Sequence, residues 1–168
     1  MACQDFFNRS EAWREEIPFS LPAGERSAEI MPFAGRIERL LYVKGSDGRP
    51  INGALMPDVY NGLVTMPHAP NQNEKYVAVV VVTVSDPVSR DAYPIVPFEI
   101  ANRYTTELMH GVLYRMMSQQ SKPYTNLSLA QFYLAKFIGG ASRARNAINT
   151  QNTNGAQAWM FPQTFNRR

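Results

Sequence analysis

The sequence predicts an α+β fold, an N-terminal β-hairpin and antiparallel β-sheet followed by two C-terminal α-helices. Three observations carry this. From Val77 to Val84, seven of eight residues are β-branched and the eighth is Ala78, and side chains with restricted χ1 rotamers suit a pleated sheet. Upstream, short apolar runs are separated by turn clusters such as Gly45-Ser46-Asp47-Gly48 and Asn61-Gly62, the punctuation of antiparallel hairpins. Beyond residue 100, apolar residues recur at helical spacing instead of alternating.

Residues 1–30 read as an N-terminal arm with little local structure. Ser10-Glu11-Ala12-Trp13-Arg14-Glu15-Glu16 has the composition of a short capped helical turn. Pro18 and Pro22 then break it, leaving Trp13 and Phe19 as anchors. Residues 31–138 form the main domain, with the sheet inside 36–100 and helices over 101–119 and 127–138. Arg36–Lys44 places Ile37, Leu41 and Val43 on one parity, a strand. The turn that follows returns the chain as a second strand over Ile51–Met56. Asn61-Gly62 marks a tight reversal, Leu63–Met66 a short strand, and Pro67–Glu74 a polar loop.

Tyr76–Ser85 is the central strand. Its odd-numbered face (Val77, Val79, Val81, Thr83) is almost as apolar as its even-numbered one, whereas a strand with one wet face alternates. Both faces are therefore expected to be covered, the odd one by a terminal segment, either residues 1–30 or the aromatic stretch 156–165. Burying it contributes on the order of several kcal/mol. In the next segment Pro97 could open a helix near Phe98. The alternation of Ala92, Val96, Phe98 and Ile100 favours an edge strand, where proline is tolerated.

A helix then carries Ala101, Leu108, Met109, Val112 and Met116 on one face and Arg103, Glu107, His110 and Tyr114 on the other. Met109, Met116 and Met117 read as core packing, and His110 as a surface residue. Ser128-Leu129-Ala130-Gln131 is a capping box with Leu127 and Phe132 as its staple. Gly139-Gly140 is expected to stop this second helix. Residues 139–168 follow as a basic, Asn/Gln-rich extension. It reads as a flexible tail, or as one that docks onto another surface through Trp159, Phe161 and Phe165. Docking is favoured because large aromatics are costly to leave exposed.

Charge is asymmetric. Residues 108–168 hold seven basic side chains and no acid, against ten basic and fourteen acidic ones in residues 1–107. Such a chain suits a polyanion partner, or contacts with copies of itself. Cys3 is the only cysteine, which excludes an intrachain disulfide. No apolar run is long enough to span a bilayer, and the N-terminus does not have the pattern of a secretory signal. His68 and His110 have no second ligand at metal-binding spacing, and no nucleophile or phosphate-loop motif occurs. The expectation is a non-enzyme without cofactor or metal.

Two segments in the predicted order carry a resemblance. Pro70-Asn71-Gln72-Asn73-Glu74-Lys75-Tyr76 leads into the valine strand, and Asp86-Pro87-Val88-Ser89-Arg90-Asp91-Ala92-Tyr93-Pro94-Ile95-Val96-Pro97-Phe98 follows it. They resemble the coat proteins of single-stranded RNA bacteriophages, which show a similar Asn-x-Lys-Tyr loop and a similar Ser/Thr-Arg-x-Ala-Tyr-x-x-Val-x-Phe run. The word-level match spans Leu63–Phe98, and the order of elements extends it to Arg36–Ile138. The resemblance implies an interlocked homodimer in which each chain's helices cross the partner's sheet. It also implies an icosahedral capsid around single-stranded genomic RNA, a virion assembled in the bacterial cytoplasm, no membrane partner, and in some members an RNA hairpin bound to repress translation.

Carried over residue by residue, the resemblance assigns RNA binding to Tyr93, which matches a tyrosine that stacks on a base, to Lys75 and Asn73 of the loop, and to Thr65 on the preceding strand. Val77, Val79, Val81, Ile95 and Pro97 stand where the family has polar or basic side chains, and valines donate no hydrogen bonds. RNA contact is therefore expected to move toward Arg143, Arg145, Arg167 and Arg168. The loop before Lys75 and the Asp86-Pro87-Val88 turn are expected to meet neighbouring dimers. Composition alone leaves a second reading open, a non-viral nucleic-acid-binding module using the acid-free C-terminal third.

Overall fold

A computed structural model describes residues 2–85 and 95–151. The order is helix α1 (Ala2–Ser10), strands β1 (Arg14–Leu21), β2 (Ser27–Glu29), β3 (Arg36–Lys44), β4 (Pro50–Ile51), β5 (Leu55–Asp58), β6 (Leu63–Thr65) and β7 (Glu74–Thr83), then helices α2 (Phe98–Arg103), α3 (Thr105–Met117) and α4 (Leu127–Gln151). The α+β class is as the sequence predicts, with antiparallel strands before C-terminal helices. One sheet has the order β1-β7-β3-β4 and a smaller one β2-β6-β5. The valine strand β7 lies between β1 and β3 in the larger sheet.

The first thirty residues are not an arm. The expected helical turn at Ser10–Glu16 is instead a junction between α1 and β1. β1 pairs with β7 along its whole length, from Arg14 opposite Val81 to Leu21 opposite Glu74. Pro18, read as a breaker, is accommodated because β1 is an edge strand. α1 wedges between the sheet and the C-terminal helices. Phe7 packs edge-on to Trp13 with ring centroids 5.7 Å apart, and Phe6 meets Tyr104 at 5.2 Å and Phe137 at 6.1 Å. Phe6, Phe7 and Trp13 are fully buried with Val80, Val82 and Val84, the even-numbered side of the strand region. Full burial of each such side chain is worth roughly 2–3 kcal/mol.

Gly35 lets β3 enter this core. It sits at φ +78°, and a Cβ there would lie 2.3 Å from the Thr83 carbonyl oxygen and 2.9 Å from the Trp13 ring. Gly35→Ala is expected to cost at least about 2 kcal/mol in urea unfolding; an unchanged midpoint would contradict this packing.

β3 departs from simple alternation. Its register on β7 shifts between Ile37 and Arg39 and again between Leu40 and Tyr42. Each bulge adds one residue to β3. Ile37, Leu40 and Val43 therefore face the core opposite Val82, Val80 and Ala78, and Leu41 does not join Ile37 and Val43 as expected.

The edge strand expected over Ala92–Ile100 is replaced, in its described part, by helix from Phe98 onward. The Ile100 and Ala101 N–H groups donate to the Pro97 carbonyl, so Pro97 opens a helix. The helix expected over 101–119 breaks at Tyr104 into α2 and α3. On α3, Leu108 and buried Gly111 turn toward the molecule, and Met109, Val112 and Met116 are exposed. Among the described residues these two methionines are thus surface and not core. The expected capping box gives way to an Asn126 cap, whose Oδ1 accepts from the Leu129 N–H at 3.0 Å.

Gly139-Gly140 does not stop α4, which runs on to Gln151 through the start of the expected extension. A Cβ at Gly140 would lie 2.4 Å from Glu107 Cγ. This glycine permits the close approach of α3 to α4.

Candidate nucleic-acid interface

Antiparallel partners share a sheet face. On the face away from the core, Val77, Val79, Val81 and Thr83 run down the middle. Pro18, Glu16 and Arg14 of β1 flank them on one side, and Lys44, Tyr42, Arg39 and Arg36 of β3 on the other. Lys75 opposite Ser20 extends the row. Five basic residues, Arg14, Arg36, Arg39, Lys44 and Lys75, therefore surround the valine stripe, and Glu16 is the acid that the described register places on this face.

Val79, Val81 and Thr83 in this stripe are buried. Lys44 Nζ donates to Glu16 Oε1 at 2.6 Å. Their strands lie on opposite sides of β7, about 9–10 Å apart, so the ion pair crosses the outer face of β7. Its hydrogen bond holds the Lys44 pKa above the ordinary lysine value. At the far end Arg14 and Arg39, which flank Val81 in register, approach the same Glu11 carboxylate. Residues 1–30 cover mainly the even-numbered face. What they place at the odd one is Glu11 and the β1 side chains.

At the Lys75 end an open groove of about 590 Å³ is lined by Pro18, Phe19, Lys44, Lys75, Tyr76 and Val77 among others. Burial, then the 2.7 Å hydrogen bond that Tyr76 donates to Glu74 Oε2, push the Tyr76 phenol up to about 12. Because folding favours the neutral phenol, this contribution is complete below pH 10 and is lost as pH rises from 10 to about 12. Tyr76→Phe is expected to flatten the fall in stability over that window. Alkaline melting curves of the two proteins check this, and identical pH slopes would contradict it.

The sequence-predicted site residues are only partly brought together. Lys75 is exposed at one end of the outer face. Arg145 reaches its other end, donating from α4 to Glu11 Oε1 at 2.8 Å. Asn73 uses its side-chain oxygen to accept the Ala23 N–H at 3.0 Å, an internal loop contact. Thr65 lies on the smaller sheet, its hydroxyl 3.0 Å from that of Ser27. Arg143 is exposed on α4, beside a groove shared with Arg103 and Glu107. Tyr93, Arg167 and Arg168 lie outside the described residues, as does the 156–165 segment.

Arg14, Arg36, Arg39, Tyr42 and Lys44 were missed by sequence reasoning. The alternation of β7 could not reveal them, because they belong to its neighbours, and the β3 bulges hide their face. The charge asymmetry is also partly internal. Arg115 pairs with Asp5 and Arg145 with Glu11, so acids of the N-terminal segment neutralise bases of the C-terminal third. Among the described residues no cluster of three potential metal ligands occurs, and no helix is long and apolar enough to cross a membrane. A comparison with protein-family models finds no match for this chain, and a comparison with curated protein sequences finds none either.

Proposed function

We propose that this chain is a viral structural protein, a self-assembling capsid subunit that forms homodimers and then an icosahedral shell around single-stranded RNA. The observation that carries the reading is the outer face of the larger sheet, where five basic side chains and Tyr42 surround the valine stripe. Guanidinium and ammonium groups on a flat face engage phosphates whatever the sequence, and Tyr42 offers a ring on which an unpaired base stacks. The proposed contact is therefore with the RNA backbone, and repression through one specific hairpin is not part of it.

Self-association is supported by apolar surface left exposed among the described residues. Met109, Val112 and Met116 form an exposed stripe at i, i+3, i+7 on α3, and Phe132 is half-exposed on α4. Two copies clasp through these helices in the proposed dimer. Phe33 and Tyr60, 94% and 93% exposed, stand at loops held together by the Ile30 N–H to Gly62 carbonyl bond of 3.0 Å, and offer contacts between dimers.

Size-exclusion chromatography of the expressed chain tests the reading. A capsid subunit elutes as a megadalton particle absorbing at 260 nm, with shells in electron micrographs. Elution as a monomer or dimer, retaining RNA only at low salt, would favour the nucleic-acid-binding module instead.

A further inference from the structure

We propose that Arg14, Arg39 and Arg145 form a phosphate-binding site whose anion position is held, in the free subunit, by the carboxylate of Glu11. The inference deepens the RNA-packaging reading and rests on it.

Three elements supply the arginines: β1, β3 and α4. Arg39 Nη2 donates to Glu11 Oε2 at 2.5 Å, Arg145 Nη2 lies 2.8 Å from Glu11 Oε1, and Arg14 Nη2 is 4.0 Å from Oε2. One carboxylate thus stands among three guanidiniums, leaving the cluster two positive charges in excess. A carboxylate has two oxygens, and Arg39 and Arg145 use one each. Arg14 Nη2 is beyond hydrogen-bond reach of Glu11 and donates instead to Asn149 Oδ1 of α4 at 2.9 Å, while its buried Nε has no hydrogen-bond partner. A phosphodiester on the outer face accepts from the half-exposed Arg39 and Arg145 guanidiniums, and Arg14 adds its charge beside them. Guanidiniums have five donors each and bind phosphate in a forked geometry.

Access is one-sided. The Glu11 side chain is 10% exposed, whereas those of Arg39 and Arg145 are 50% and 48% exposed. A strand of RNA on the outer face therefore meets the two guanidiniums before it meets the carboxylate. Glu11 also holds a left-handed backbone at φ 51°, a conformation that non-glycine residues adopt at a cost and that is frequent where local strain serves a function. In the proposed competition the phosphate takes over Arg39 and Arg145, and Glu11 weakens binding by occupying them and repelling the incoming charge.

The plain structural alternative is a clamp joining α4 to the sheet, with no ligand. Titration of the full chain with a labelled oligouridylate at several chloride concentrations separates the two. Glu11→Gln is expected to bind roughly three- to tenfold more tightly than wild type, the size of removing one nearby like charge in a high-dielectric surface site. Arg145→Gln is expected to bind several-fold more weakly and to reduce the slope of log affinity against log salt by about 0.7, the value for one phosphate contact on a single strand.

Arg145 is half-exposed near the end of α4, so this variant keeps the measurement available if Glu11→Gln does not fold. Inorganic phosphate, added at constant ionic strength, separates a site for free phosphate, which displaces the RNA, from one for the RNA backbone, where it does not; both outcomes support the site. Wild-type affinity and salt slope in folded Arg145→Gln, or in folded Glu11→Gln, would overturn it. If wild type itself does not bind oligouridylate at low salt, the packaging reading fails. If it binds and the variants match it, only this inference fails.

Discussion

Removing residues 2–12 is expected to unfold the protein, not to trim a dispensable arm. Phe6 and Phe7 are fully buried, and with Trp13 they connect the sheet to Tyr104 and Phe137 on the C-terminal helices. Truncating one buried aromatic to alanine costs about 3–5 kcal/mol, whereas a domain's whole stability is about 5–15 kcal/mol. Phe7→Ala and Trp13→Ala should each lower the urea midpoint strongly, and the double variant should lack a cooperative transition. These residues touch, so their effects need not add. A truncated chain that melts at the wild-type temperature would refute the placement of α1 inside the core.

The second large effect concerns the outer face of the sheet. On the proposed capsid reading, Arg39→Gln, Lys44→Gln and Lys75→Gln combined are expected to leave the fold intact and to yield particles depleted of RNA. All three stand on the same side of the sheet in the β1-β7-β3 register, and Lys75 is exposed. Loss of three single-strand phosphate contacts lowers the salt slope by roughly two. The absorbance ratio at 260 and 280 nm of purified particles, together with oligouridylate titrations, checks this. An RNA content equal to wild type in a folded triple variant would count against the outer face as the RNA surface. Lys44→Gln also frees Glu16, whose side chain is already 60% exposed. Solvent screening makes that release a small term.

Legibility in the sequence followed the range of the interaction that decided each element. The β7 strand, the Gly45–Gly48 turn, the Asn61-Gly62 reversal and the α3–α4 order were readable, because rotamer restriction, turn chemistry and helical periodicity act within a few residues. The N-terminal segment was misjudged because Pro18 carries a local veto that an edge position lifts. Gly140 was misjudged because a glycine that ends a helix and one that admits a neighbouring helix look alike until Glu107 is beside it.

For the candidate site the same division holds. Lys75 and Arg145 were legible as basic residues in the right contexts, but not as the two ends of one surface. Asn73 and Thr65 matched by position, yet their side chains serve contacts within the chain. Composition and pattern determined by themselves that this chain has a β-branched central strand, antiparallel hairpins before it and helices after it, because those choices are local. Only the tertiary structure decided that two bulges rotate Arg39 onto the outer face, that Arg14 and Arg145 converge there on Glu11, and that α1 belongs to the core. Strand register and helix docking are set by contacts between residues far apart in the chain, and no window of neighbouring residues contains them.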